Sequence, residues 1–205
     1  MPAPVPHEIL PGVLHWTTLH EGIDAPVSSY AVVPTGVVID PRVPDDGFAA
    51  LAGWPAPGQV VLTSGHHARH AELFAEEYGI PVRASRAAAE RLGAALAVDV
   101  FGDGDEVAPG VRAIEIGVLS PDETALHVGE AEGAIAFADG VHRYGGDLSF
   151  FRDSLLGDDP EAVKAGLRDA FRRLLDRDFD HLLLAHGDPV VGGGKAALRA
   201  FATGG

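Results

Sequence analysis

Three histidines stand within five residues where an apolar run ends: Val60-Val61-Leu62-Thr63-Ser64-Gly65-His66-His67-Ala68-Arg69-His70. Imidazoles gathered in a loop between a strand and a helix start can converge on one metal ion. The same residues can also form a hydrogen-bonded histidine cluster at a helix N-terminus, and spacing alone does not choose between the two. Other chemistry is poorly supplied. There are no cysteines, which removes thiolate metal sites, disulfides and a Cys nucleophile. Ser64 lacks the glycine-flanked setting of a nucleophile elbow. The run Gly192-Gly193-Gly194-Lys195 lacks the spacing of a phosphate-binding loop.

The elements that must position this loop follow from hydrophobic periodicity. Residues 12–19, 29–33 and 37–39 read as strands, with Pro34-Thr35-Gly36 as the turn between the last two. A short helix is expected over 48–52, a buried strand over 59–62, a helix over 71–78, a strand over 82–84 and a helix over 86–92. The stretch 98–137 reads as β, with strands at 111–116, 124–128 and 134–137. Asp159-Pro160-Glu161 opens a helix with an acidic cap and proline in its first turn. A strand over 181–185 and a helix over 195–201 close the chain. The order β-rich, α, β-rich, α fits two mixed sheets with helices on their outer faces, an α/β architecture. No long linker divides residues 1–205, so a single domain is expected.

Bulk properties narrow the partners. The net charge is −15 with only two lysines. Nucleic acid and anionic membrane surfaces both need a basic face, so neither is expected as a partner. The start Met1-Pro2-Ala3-Pro4-Val5-Pro6 has no basic residue and no apolar core of a signal peptide, and no run is long enough to span a bilayer. A cytoplasmic address is the expectation, with a small molecule as ligand or substrate. Oligomeric state is not fixed by the sequence.

Several segments together resemble the metallo-β-lactamase superfamily. Its strand ends in Thr-His-x-His-x-Asp-His, which the 63–70 loop matches in part. Glu8-Ile9-Leu10-Pro11-Gly12-Val13, Val27-Ser28-Ser29-Tyr30, Gly36-Val37-Val38-Ile39-Asp40, Ala138-Asp139-Gly140 and Ala185-His186-Gly187 resemble further family segments in the family's order. The resemblance implies the αββα sandwich. It also implies Asp139 as a metal-bridging, catalytic carboxylate, His186 as the last ligand, and Asp40 near the metals.

The departures from that pattern bear on the chemistry. With Thr63 aligned on the family threonine, Ser64 replaces the first histidine, His66 keeps the second, Ala68 replaces the aspartate and Arg69 the fourth ligand. Shifted by one, His67 and His70 fall on histidines and Arg69 on the aspartate. The downstream ligand loop, Gly117-Val118-Leu119-Ser120-Pro121-Asp122, has no histidine in either register. The resemblance therefore implies an incomplete site holding at most one metal ion. His66, His67, His70, Asp139 and His186 are the candidate ligands, with His70, Asp139 and His186 as the three-ligand group of the shifted register. Zinc suits such a set, and so do iron and manganese.

Two functions are implied. One is a hydrolase of an ester, thioester or related bond. The other is a metal-free relative that binds a small molecule, in which Arg69 pairs with Asp139 in place of the cation. His142, three residues past Asp139, and Tyr144 in the following aromatic, glycine-rich loop are candidate substrate contacts. His7, His15, His20, His127 and His181 have no partner motif and read as structural.

Overall fold

The computed structural model describes residues 5–204. The first half of the chain makes one sheet. Strands β1 (His7–Leu10), β2 (Val13–His20), β3 (Ala25–Val32), β4 (Val37–Ile39), β5 (Gln59–Val61), β6 (Val82–Ser85) and β7 (Asp99–Phe101) lie side by side in sequence order. The pairings through β4 are antiparallel, and β4 to β7 are parallel. Parallel neighbours need crossovers. Helices α1 (Ala71–Tyr78) and α2 (Arg86–Leu92) supply the crossovers that follow β5 and β6.

The second half makes the other sheet, in the order β12-β11-β10-β9-β8. Its strands are β8 (Glu106–Ala108), β9 (Val111–Glu115), β10 (Thr124–Val128), β11 (Ala134–Phe137) and β12 (His181–Leu184). Only β11 and β12 run parallel, joined through α3 (Pro160–Leu174). Helix α4 (Gly194–Thr203) follows β12.

Side-chain alternation assigns the layers. On β4, Val37 and Ile39 face the other sheet and Val38 faces the helices. The intersheet core holds Tyr30, Ile39, Val61, Leu126, Ala136 and Leu183. Outside the first sheet, Trp16, Val60 and Leu62 pack on Phe74 of α1. Outside the second, Ile135, Phe137 and Leu184 pack on Phe171 of α3 and Leu198 of α4. Each such fully buried side chain is worth roughly 1.5–3 kcal/mol over its exposed state. The result is the expected αββα sandwich with two mixed sheets.

Details differ from the sequence reading. The segment 48–52 is a 3₁₀ turn, Phe48–Leu51, and the segment after Val32 is another, Val33–Thr35, ending on Gly36 at φ 68°. Strand β3 starts at Ala25, four residues earlier than periodicity indicates. Its first half pairs only with β2, because β4 reaches no further than Tyr30. Pro26 therefore sits where no second strand asks for its missing N–H.

Polar bonds lock the sheets together at one end. Ser28 N–H donates to Ala185 O at 2.9 Å and the Tyr30 hydroxyl to Leu184 O at 2.8 Å. Thr124 N–H donates to Thr63 O at 2.8 Å. These bonds hold the ends of β3, β5, β10 and β12 in a common rim.

Candidate metal centre

Three loop segments meet at that rim, those after β5, β11 and β12. Strand β5 runs into Leu62-Thr63-Ser64, and a 3₁₀ turn over Gly65–His67 follows, capped by the Ser64 hydroxyl accepting the His66 N–H and by Asp122 accepting the Gly65 N–H. At three residues per turn, this places His67 over the end of β5. Asp139 lies two residues beyond β11 and His186 two beyond β12. Those neighbouring parallel strands deliver the two side chains side by side.

The geometry is compact. His186 Nε2 lies 2.9 Å and His67 Nε2 3.1 Å from the same oxygen, Asp139 Oδ1. One ligand atom from each of the three residues falls within 4.8 Å of the other two. Behind them, His67 Nδ1 lies 2.8 Å from Asp40 Oδ2. Asp40 is itself fixed by Thr63 N–H at 2.8 Å and by the Thr63 hydroxyl. A ring whose two nitrogens both face carboxylate oxygens carries both protons.

Burial works against that charge. Asp139 and Asp40 outweigh it even though Arg69 opposes them, and the pKa of His67 is raised to about 9. Asp139 in turn loses by burial but gains more from the His67 charge and the two histidine hydrogen bonds, so it is held well below the usual carboxylate range. His186 is lowered, chiefly by burial, with Asp139 pulling the other way.

The remaining sequence candidates divide. His66 is exposed and lines the cleft beside the cluster without joining it. His70 is turned away: as the residue before α1 it accepts the Val43 N–H on Nδ1 at 2.9 Å, so the group His70, Asp139 and His186 does not assemble and His67 takes the place proposed for His70. Arg69 lines the same cleft but makes no ion pair with Asp139. Its Nη1 donates to Ser28 O at 2.6 Å and Asp40 O at 2.8 Å, while Nη2 is buried with no partner. The carbonyls of Ser28 on β3 and of Asp40 just past β4 hold the guanidinium, and φ of Arg69 is 42°, in the left-handed region. Asp139 receives two imidazole N–H groups instead. Tyr144 reaches His186 Nδ1 only at 3.5 Å, and His142 faces Phe150 O at 3.1 Å, with its ring tilted against that of Phe151 at 4.6 Å between centroids.

The downstream loop that lacks a histidine is organised by Asp122. Its carboxylate accepts from Ser64 Oγ, Gly65 N–H and Arg91, and these bonds with that of Ser120 overcome burial and lower its pKa. Sequence reasoning missed Glu123. It is 2% exposed, accepts the Gly140 N–H at 2.6 Å and leaves Oε2 unpartnered. Burial, then the nearby Asp139 charge, push its pKa up to about 7. An acidic pair before a strand reads as an ordinary turn, so nothing in the sequence marks it.

Known structures share this architecture. A metallo-β-lactamase from Cronobacter sakazakii, described by an HARLDQ motif, superposes with TM-score 0.58 at 21% identity, covering 88% of this chain and 80% of its own. A B3 metallo-β-lactamase with an active-site glutamic acid gives TM-score 0.66 at 18% identity over 98% of this chain and 87% of that one. The chain has the metallo-β-lactamase fold. A flavoprotein from Thermotoga maritima matches as well, at TM-score 0.68 and 14% identity, covering 99% of this chain and 61% of that one. No protein-family model matches the sequence, and no curated protein does.

On this fold, the rim where β5, β11 and β12 end carries a candidate three-residue metal site of His67, Asp139 and His186. The donor set fits a divalent ion. Two imidazoles and a carboxylate on one side leave further positions open, and the Asp40 carboxylate behind His67 is the partner that a ligating imidazole commonly has. Among the described residues no helix is long and apolar enough to cross a membrane.

Proposed function

We propose that this protein is a metal-dependent hydrolase with a mononuclear site, acting on an ester, thioester or related acyl bond. The observation that carries the reading is the convergence of His67 Nε2 and His186 Nε2 on Asp139 Oδ1, with Asp40 behind. When bound, zinc or a similar ion supplies hydroxide near neutral pH and polarises a carbonyl. His67, Asp139 and His186 would hold it, and iron or manganese would also suit these donors.

The chain's own groups do the rest. Asp40 keeps the proton of His67 on Nδ1, which turns Nε2 toward the site. Burial lowers the pKa of Arg69, but Asp40 and Asp139 oppose this and the guanidinium keeps its charge in the cleft, where negative charge builds on an acyl oxygen under attack. Val27, Phe151 and Leu155 wall the cleft and limit water around the reacting bond. The Cronobacter relative supports the reading indirectly: its HARLDQ motif also departs from His-x-His-x-Asp-His, yet it bears the lactamase name.

A second reading, a metal-free protein that binds a small molecule in the same cleft, is favoured by one feature. The His67 imidazolium bridges Asp40 and Asp139, so a proton satisfies the carboxylates that a cation would. The deciding experiment is metal analysis of protein purified without an affinity tag, with turnover of ester and thioester panels. About one equivalent of metal, lost in His186→Ala together with turnover, is expected. Metal-free protein that gains neither thermal stability nor turnover with zinc, iron or manganese refutes the hydrolase and leaves the binding protein.

A further inference from the structure

The cleft beside the cluster has two unlike arms. The first, about 460 Å³, is walled by Ile23, Val27, Phe151 and Leu155, and Ile23 and Leu155 stand 54% and 53% exposed on it. Such exposed aliphatic side chains around a concavity mark a surface suited to an apolar ligand. The second arm, about 410 Å³, is the more polar of the two: Ser64, Arg91, Ser120 and Glu123 line it beside Leu119 and Pro121. His66, Leu119, Asp139 and Leu155 line both arms, so the two meet at Asp139.

Glu123 tells what the polar arm lacks. Its Oε1 is spent on Gly140 N–H, and its buried Oε2 has no partner among the described residues. A buried carboxylate oxygen left without a donor is costly, and a donor brought by a ligand removes that cost. The charges around the arm restrict that ligand. In this arm a cationic head would face Arg91, and an anionic one would face Glu123 and Asp139. Arg91 is already committed to Asp122 through two bonds. A neutral group rich in hydrogen-bond donors meets neither objection.

We propose that the second arm is a subsite for a hydroxyl-bearing group anchored by Glu123 Oε2, and that the whole cleft takes an amphiphile with an aliphatic chain in the first arm. The proposal rests on the hydrolytic reading only for the bond at the junction, which makes the substrate an ester of an aliphatic acid with a polyol. Hydrolysis there forms a bond from the water oxygen to the acyl carbon and breaks the bond from that carbon to the ester oxygen. The proton from water goes to the departing oxygen, giving the free acid and the polyol.

The test is binding to chelator-treated protein, so it does not depend on turnover. Titration calorimetry compares 1-O-hexylglycerol, hexyl methyl ether and glycerol. Hexylglycerol is expected to bind at least tenfold tighter than the methyl ether, with glycerol weakest. In Glu123→Gln the amide NH₂ replaces the free acceptor, and that tenfold advantage should vanish. Ile23→Ser, at an exposed position, should weaken both chain-bearing probes alike.

Equal binding of the two ethers by wild type, no binding of either, or an advantage that survives Glu123→Gln overturns the subsite. If Glu123→Gln does not fold, the wild-type comparison decides, together with a shift of the Gly140 amide resonance seen with hexylglycerol and not with the methyl ether. Selective binding without ester turnover would keep the subsite and refute the hydrolase. Turnover of acyl esters with no selectivity for the hydroxylated head would do the reverse.

Discussion

Raising the pH should loosen the metal-free protein and tighten its hold on metal, because one proton on His67 controls both. His67 is 4% exposed, and its pKa stands at about 9 against 6.5 for the free side chain. A folded-state pKa above the unfolded one means that the protonated form stabilises the fold. That stability is fully present below pH 6.5 and lost as pH rises through 9. At about 1.4 kcal/mol per pH unit, the shift from 6.5 to about 9 corresponds to about 3 kcal/mol. For a chain of this length that is a fall in Tm of about 6–12 °C.

The window from pH 7.5 to 9 is diagnostic. Glu123, raised to about 7, has largely finished its own change below it, and His15, lowered to about 4 by burial and then by His7, acts further down. The same proton must leave Nε2 before a metal can take it, so zinc affinity should climb about tenfold per pH unit toward pH 9. The assay is Tm against pH in chelator, and zinc affinity by competition at each pH, for wild type and His67→Gln. A Tm that is flat between pH 7.5 and 9, or a slope that persists in His67→Gln, refutes the bridging imidazolium.

Three further outcomes follow from the same geometry. Asp40→Asn removes the carboxylate behind His67 and should weaken metal binding about 10–100-fold in a competition titration. Arg69→Met leaves the Ser28 and Asp40 carbonyls without their charged donor, costing about 2–4 kcal/mol in urea unfolding. The same change removes a positive charge beside Asp139 and should tighten zinc, whereas unchanged zinc affinity would separate Arg69 from the site's electrostatics. Gly187→Ala should abolish metal binding or folding altogether, since φ there is 84° and an added Cβ would meet the Arg143 carbonyl oxygen at 2.0 Å; a variant with wild-type Tm would contradict the close approach.

The layers of this fold were legible because alternation such as Val37-Val38-Ile39 is a local signal, and the sandwich built from it needs no knowledge of partners. The start of β3 was not legible. Pro26 and Ser28 look wrong for a strand, and what carries Ser28 in it is a pair of partners from the other sheet's rim, Ala185 O for its N–H and Gly187 O for its hydroxyl. Asp139 and His186 were singled out because the segments that carry them resemble family site loops, and the structure brings the two side chains together. Which of three histidines would meet them was not legible, because that choice turns on a 3₁₀ turn at Gly65–His67 and on a left-handed φ at Arg69, backbone states that composition hardly specifies. Arg69 carries the same lesson. Its charge suggested a bond to Asp139, but two backbone carbonyls, invisible in the sequence, compete for it and win.

The two sheets are drawn from consecutive halves of the chain, and the histidine–carboxylate cluster is one of the places where they touch through polar groups. His67 comes from the first half, and Asp139, 72 residues later, from the second. Contacts so distant along the chain form late, because the ends of a long loop must meet before any bond rewards them. Each half can pair most of its strands beforehand, so the cluster becomes a register of assembly, complete only when both layers have docked. A bound ion would then act as a rivet across the seam. It would slow separation of the halves far more than it would speed their formation, and two fragments cut between β7 and β8 should rejoin more tightly in its presence.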